Sequence, residues 1–119
     1  KMAAWLKAHM PKDIKILVSP AKRAQQTAST LNLPFTTVNE LAPGASPQTL
    51  LSLANWDTTK GAVLIVGHQP SLGMTAAIAM TRKTHYWAVD KGAIWWLASR
   101  IRAEDEQAII RAVITPDML

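Results

Sequence analysis

The apolar residues of the chain fall partly into short continuous runs that predict β-strands. Two such runs, Ile14–Val18 and Ala62–Val66, are rich in β-branched or other large apolar residues. A further short strand is predicted at Pro34–Val38. Because the run at 62–66 is apolar at every position, it is typical of a central strand covered on both faces.

Helical spacing of apolar residues occupies the stretches around these runs. The predicted helices are 1–10, from Pro20 to about Leu31, one starting at Pro47, and one starting at Pro70. Ser19-Pro20 and Ser46-Pro47 each match an N-cap residue followed by a proline at the first helical position. His9 lies on the apolar stripe of the first helix, so we interpret it as a structural histidine.

The C-terminal third predicts a different arrangement after an irregular segment at 82–87. Ala93 to Ile101 and Gln107 to Ile114 have the composition of two strands, and the segment 103–106 between them, with three charged residues of four, suits a turn. Two strands joined by so short a turn form an antiparallel hairpin.

Strands that alternate with helices predict an α/β domain. We expect a three-layer α/β/α sandwich with a mostly parallel sheet, forming a single domain over residues 1–119. The first helix begins at Lys1 with no capping residue ahead of it. We therefore expect the domain to be N-terminally incomplete in this sequence, with residues missing before Lys1.

Composition narrows the class of protein. There is no cysteine, which excludes disulfides, thiolate metal sites and a cysteine nucleophile and permits a reducing, cytoplasmic location. The apolar runs are far shorter than the roughly 20 residues that span a membrane, so no membrane partner is expected. The net charge of +5 is concentrated in residues 1–23, a solvated basic face rather than a nucleic-acid site.

Polar residues at two strand-to-helix junctions indicate an anion site. Ligands of open α/β sheets bind beyond the carboxyl ends of the strands, where helix N-termini present free N–H groups. Ser19 and Arg23 follow the first apolar run, and Gly67 and His68 follow the run at 62–66. If these strands are neighbours, the guanidinium of Arg23 and the imidazole of His68 face one crevice and suit a phosphate group.

Other chemistries lack their signatures. The sequence contains no P-loop and no dinucleotide-binding glycine pattern. The three histidines, His9, His68 and His85, are too scattered to predict a metal site. We expect no metal and no cofactor.

Two segments resemble signatures of the histidine phosphatase superfamily, which shares its fold with phosphoglycerate mutases. They are 17–28 (LVSPAKRAQQTA) and 63–70 (VLIVGHQP), and residues 39–44 (NELAPG) resemble a third feature, an E-L-x-P turn. The similarity is closest to the small bacterial branch of SixA-type phosphohistidine phosphatases, where S-P-x-x-R-A-x-Q-T precedes a strand ending in (G/S)-H.

The resemblance implies a phosphate pocket of two arginines and two histidines, one of which attacks phosphorus. Arg23 matches the second arginine and His68 the second histidine, and the backbone N–H of Gln69 is a further phosphate donor. The R-H-G or R-H-A motif that carries the nucleophile on the first strand is absent from this sequence. The implied fold is therefore phosphoglycerate mutase-like without its first strand.

The resemblance implies a phosphohistidine phosphatase that acts through a phosphohistidine enzyme intermediate. Its partner would be a phosphorylated protein such as a histidine phosphotransfer domain, or a small phosphorylated substrate. No general acid is assigned, since the surroundings of Glu40 do not match the motif that supplies it in other relatives. A general small-molecule phosphomonoesterase stays open, as does a non-catalytic phosphate-recognition module if the nucleophile is truly absent.

Overall fold

A computed structural model describes residues 1–56, 61–102 and 105–119, which combine α-helices and β-strands. Within these residues the α-helices are α1 (Met2–His9), α2 (Lys22–Ser29), α3 (Pro47–Leu53) and α4 (Ser71–Thr81). The strands are β1 (Lys15–Val18), β2 (Thr36–Thr37), β3 (Val63–Val66), β4 (Ile94–Arg102) and β5 (Asp105–Ile114). Short 3₁₀ turns at Asn39–Leu41 and Pro116–Met118 complete the described structure.

The first three strands form a parallel sheet in the order β2-β1-β3. Val18 at the end of β1 pairs with Thr37 on one side and with Val66 on the other. The prediction that 62–66 is a central strand was wrong for the described residues, where β3 has one neighbour. The predicted cover on both faces is confirmed, since the side chains of β3 join apolar clusters on the two sides of the sheet. A uniformly apolar run indicates that both faces of a strand are covered, but it does not indicate which strands lie beside it.

The predicted C-terminal hairpin is confirmed. β4 and β5 pair in antiparallel register from Ile94 opposite Ile114 to Arg102 opposite Asp105, with an irregularity between Trp96 and Leu97. Of the predicted turn at residues 103–106, positions 103 and 104 lie outside the described residues, and β5 already begins at position 105.

Apolar side chains pack on both faces of the parallel sheet. In β1, Ile16 and Val18 join a cluster with residues of α1 and α2, whereas Leu17 joins a second cluster with Leu41 and Leu50. In β3 the same alternation sends Leu64 and Val66 to the first cluster and Val63 and Ile65 to the second. The period of two along both strands therefore places α1 and α2 against one face, and α3 with the start of α4 against the other.

The two Ser-Pro pairs behave differently. Ser46 caps α3 as predicted, because its side chain accepts a hydrogen bond from the backbone N–H of Thr49 and Pro47 is the first helical residue. Ser19 does not cap α2, which begins at Lys22 rather than at Pro20. The Oγ of Ser19 accepts instead from the N–H of Ala21, which turns the chain before the helix starts.

Candidate functional site

The two polar junctions lie side by side at one edge of the sheet. β1 and β3 are neighbours and run parallel, so their carboxyl ends coincide. The backbone N–H of Ser19 donates to the carbonyl oxygen of Val66 at 3.0 Å, which continues the pairing into both junctions. The condition on which the predicted crevice depends, neighbouring strands, is therefore met.

A hydrogen bond joins the junctions through their side chains. Nε2 of His68 lies 2.7 Å from Oγ of Ser19, although the two residues are 49 positions apart in the chain. Ser19 is 0 % exposed and His68 is half-buried. The serine fixes one edge of the imidazole against the end of β1, and the rest of the ring reaches the surface.

The bonding of Ser19 constrains which atom of His68 is available to a ligand. The hydroxyl accepts from the N–H of Ala21 and also bonds to Nε2, so this ring nitrogen is engaged. Nδ1 forms no hydrogen bond with a described residue and is the ring nitrogen left for a ligand.

Arg23 lies in the first turn of α2, which begins just after the first junction. Its neighbour Ala24 is buried in the core, and Gln25 donates to the carbonyl of Ser19 at 2.8 Å and to Oγ1 of Thr37 at 3.0 Å. These contacts fix the turn, while Arg23 itself is exposed and makes no hydrogen bond with the described residues. Its side chain is thus solvent-accessible and one helical turn beyond the first junction.

Backbone donors collect at the same place. No hydrogen bond within the described residues uses the N–H of Gly67, His68 or Gln69. The residues at the N-cap positions of α2 and α4, Ala21 and Pro70, supply no side-chain cap. Free N–H groups at 67–69 and the N-terminus of α2, which no side chain caps, favour negative charge, so the junctions offer donors of the kind that an anion needs.

Gly67 is not required by packing within the described chain. A Cβ at this position would come 3.5 Å from Cδ2 of Leu72, which is ordinary van der Waals contact. Because glycine has no Cβ, a ligand could approach the backbone closely at this position.

Several other polar residues have structural partners. Ser71, three residues after His68, is buried and donates to the carbonyl oxygen of Ala45, which ties α4 to the loop before α3. His9 stacks on Trp5 with ring centroids 4.4 Å apart, and its Nδ1 bonds to the carbonyl of Trp5, in agreement with a structural role. Glu40 is exposed in the 3₁₀ turn and makes no hydrogen bond with the described residues.

Metal-binding geometry is not seen in the described ranges, where no group of three or more His, Asp or Glu side chains is placed to hold an ion. Within those same residues, no helix combines the length and apolarity needed to cross a lipid bilayer.

Ser19 is the site residue whose role the sequence did not reveal. Its position before a proline favoured a helix cap, and a contact with a residue 49 positions away leaves no local signal. The one available clue was that both junctions follow strands that pair, which places the residue after β1 beside those after β3.

Comparisons with known proteins found no relative of this chain. No family model, no curated protein and no solved structure matches the chain. The functional assignment therefore depends on the geometry of the two junctions and on the sequence motifs that they carry.

Proposed function

We propose that this protein removes the phosphoryl group from a phosphorylated histidine of a signalling protein. The observation that carries the proposal is the hydrogen bond between Ser19 and His68, which unites the two motif-bearing junctions into one polar surface. In this proposal Arg23, His68 and the backbone N–H of Gln69 bind the phosphoryl oxygens.

The available groups suit the charge of a phosphoryl group. The guanidinium of Arg23 offers a planar fork of donors that matches two phosphoryl oxygens. Nδ1 of His68, when it carries a proton, and the free N–H groups of residues 67–69 would supply further donors. As the phosphoryl group is transferred, its oxygens gather charge, and fixed donors of this kind stabilise the transition state.

The attacking group is not among the residues of this site. His9 and His85 do not stand in an R-H-G or R-H-A motif, and their rings stack on Trp5 and Trp87. Covalent catalysis needs an attacking imidazole, so we propose that it comes from a segment outside residues 1–119. The apolar clusters on both faces of the sheet support the further proposal of a phosphoglycerate mutase-like three-layer sandwich that lacks its first strand.

The missing nucleophile also supports a second candidate function, recognition of phosphorylated partners without turnover. Such a module would need the same phosphate cradle, by which we mean Arg23, His68 and the backbone N–H of Gln69, but no attacking imidazole. Phosphate binding by this chain is common to both functions, and only hydrolysis by the full-length protein separates them.

The proposal is tested by titrating isotope-labelled protein with inorganic phosphate and recording the amide chemical shifts by NMR. We expect shifts of the amides of residues 67–69, and we expect Arg23→Ala and His68→Ala each to weaken binding at least tenfold. Arg111→Ala and His9→Ala are the matched controls, because Arg111 lies over Trp96 on the hairpin and His9 on α1. Equal affinity in all four variants would refute the phosphate site.

Hydrolysis is tested separately with the full-length protein and a phosphohistidine-bearing phosphotransfer domain. Release of phosphate that is lost in Arg23→Ala supports the phosphatase. Binding without release supports the recognition module. Faster release from a small phosphate monoester than from phosphohistidine would favour the phosphomonoesterase.

A further inference from the structure

A second feature lies beside the candidate site, an aromatic segment comprising residues 83–87 on the loop between α4 and β4. It contains His85, Tyr86 and Trp87 in succession. Tyr86 is 77 % exposed, the most exposed of the large hydrophobic side chains in the described chain.

Gln69 anchors this segment next to His68. Its side-chain Nε2 donates to the backbone carbonyl of Trp87 at 3.0 Å, and its Oε1 accepts from the N–H of Gly73 at 2.7 Å. One amide thus satisfies a free donor in the first turn of α4 and fastens the loop to it.

Gly73 allows the loop to approach this closely. A Cβ at position 73 would collide with the backbone carbonyl of Trp87. The loop backbone therefore lies directly against the first turn of α4, at the helix end that borders the phosphate cradle.

Ring contacts hold the segment in one arrangement. The rings of Trp87 and Trp95 lie 5.8 Å apart between centroids and tilted by 37°, which attaches the loop to β4. The rings of His85 and Trp87 are stacked at 6.5 Å. Tyr86, between these two residues, is left to project its ring from a fixed backbone.

The loop around the segment is basic. Residues 83–91 contain two cations, Lys83 and Lys91, against one carboxylate, Asp90. Acidic groups on a partner would strengthen its binding to this loop, because the positive charge of the loop attracts them. An apolar group that packs on Tyr86 would strengthen the binding further.

We propose that the aromatic segment binds the residues that flank the phosphohistidine of a protein substrate, and that it favours flanks that contain acidic and apolar side chains. The inference rests on the proposed function, because it presumes that a phosphohistidine occupies the cradle beside Gln69. Tyr86 is in this proposal a specificity-determining residue that does not touch the phosphoryl group.

The test compares two ligands of this chain by calorimetry. One is a stable phosphonate analogue of phosphohistidine as the free amino acid, and the other is the same analogue within a peptide that carries glutamate and leucine flanks. We expect the peptide to bind at least fivefold more tightly than the free analogue. Tyr86→Ser should abolish that advantage and leave the affinity for the free analogue unchanged.

Met118→Ser is the matched control, since Met118 is a large side chain that is 62 % exposed in the C-terminal 3₁₀ turn. It should retain the full advantage of the peptide. Gly73→Ala is a second variant, expected to lose the advantage by displacing the loop rather than by removing a ring.

The outcomes separate the two proposals. Equal affinity of the unaltered chain for both ligands, or a peptide advantage that survives in Tyr86→Ser, overturns this inference and leaves the phosphate site in place. Failure of the unaltered chain to bind either ligand overturns the proposed function and this inference together.

Discussion

Ser19 connects the backbone of one junction to the side chain of the other. Its hydroxyl contacts both the N–H of Ala21 and Nε2 of His68, and its side chain is excluded from solvent. A buried hydroxyl with two partners costs more to remove than a surface one, because both partners lose a bond together.

Substitution Ser19→Ala is therefore expected to lower the free energy of unfolding by about 1–3 kcal/mol. It should also weaken phosphate binding severalfold, since the ring of His68 loses the contact that orients it. Denaturant unfolding and phosphate titration measure the two effects on the same sample.

Ser29→Ala provides the comparison for this prediction. Ser29 is exposed on α2, and its Oγ donates to the carbonyl of Gln25 one turn earlier. Its removal should change stability by no more than about 0.5 kcal/mol and leave phosphate binding intact. A Ser19→Ala variant that matches it in both measurements would contradict the orienting role.

The site residues that could be predicted from the sequence are those that directly follow a recognisable local pattern. Gly67 and His68 follow an apolar run, and Arg23 follows a Ser-Pro pair, so both junctions were visible. The bonds of Ser19 and Gln69 were not, because each reaches a partner that only the tertiary structure brings near.

Among the elements, β1 is the best protected strand of the parallel sheet. It pairs on both sides, and its last residue, Val18, is 0 % exposed. β2 is an exposed two-residue strand, which pairs with β1 alone in the described residues.

We expect amide hydrogen exchange to follow this order. Amides of β1 that face β3, such as that of Leu17, should exchange at least tenfold more slowly than the amide of Val38, which bonds to the carbonyl of Val18 from the exposed side of the sheet. The reason is that local opening releases an edge segment without breaking the centre. Exchange measured by NMR, corrected for intrinsic rates, decides the matter, and equal protection of the two strands would contradict the prediction.

Element types were easier to predict than element order. The helices near 2–9 and 71–81 and the C-terminal hairpin follow from spacing and turn residues, which are local properties. The position of β3 at the edge of the described sheet is set by contacts with distant residues, and its apolar run contains no information on them.

At the scale of the molecule, charge and polarity are separated from the core. The basic side chains of residues 1–23 are all exposed, as a solvated face predicts, while the two apolar clusters fill the space between helices and sheet. Phosphate binding would therefore act on a surface where Arg23 adds to a field that is already positive.

Such binding must stabilise the whole fold, because the cradle exists only when β1 and β3 are paired. At a phosphate concentration ten times the dissociation constant, ligand linkage adds about 1.4 kcal/mol to the free energy of unfolding. For a domain of this size that corresponds to a rise of about 5 °C in melting temperature, measurable by scanning calorimetry.

The rise should be the same with and without a chelator, since the cradle uses side-chain and backbone donors and no metal. Arg23→Ala and His68→Ala should lose most of it, whereas Arg111→Ala should keep it. Because nonspecific screening by added salt would stabilise all variants alike, potassium chloride at equal ionic strength is the reference. An equal rise in the melting temperature of Arg23→Ala would show that phosphate binds elsewhere on the basic surface. The stabilisation by phosphate would then not come from the site at the two junctions.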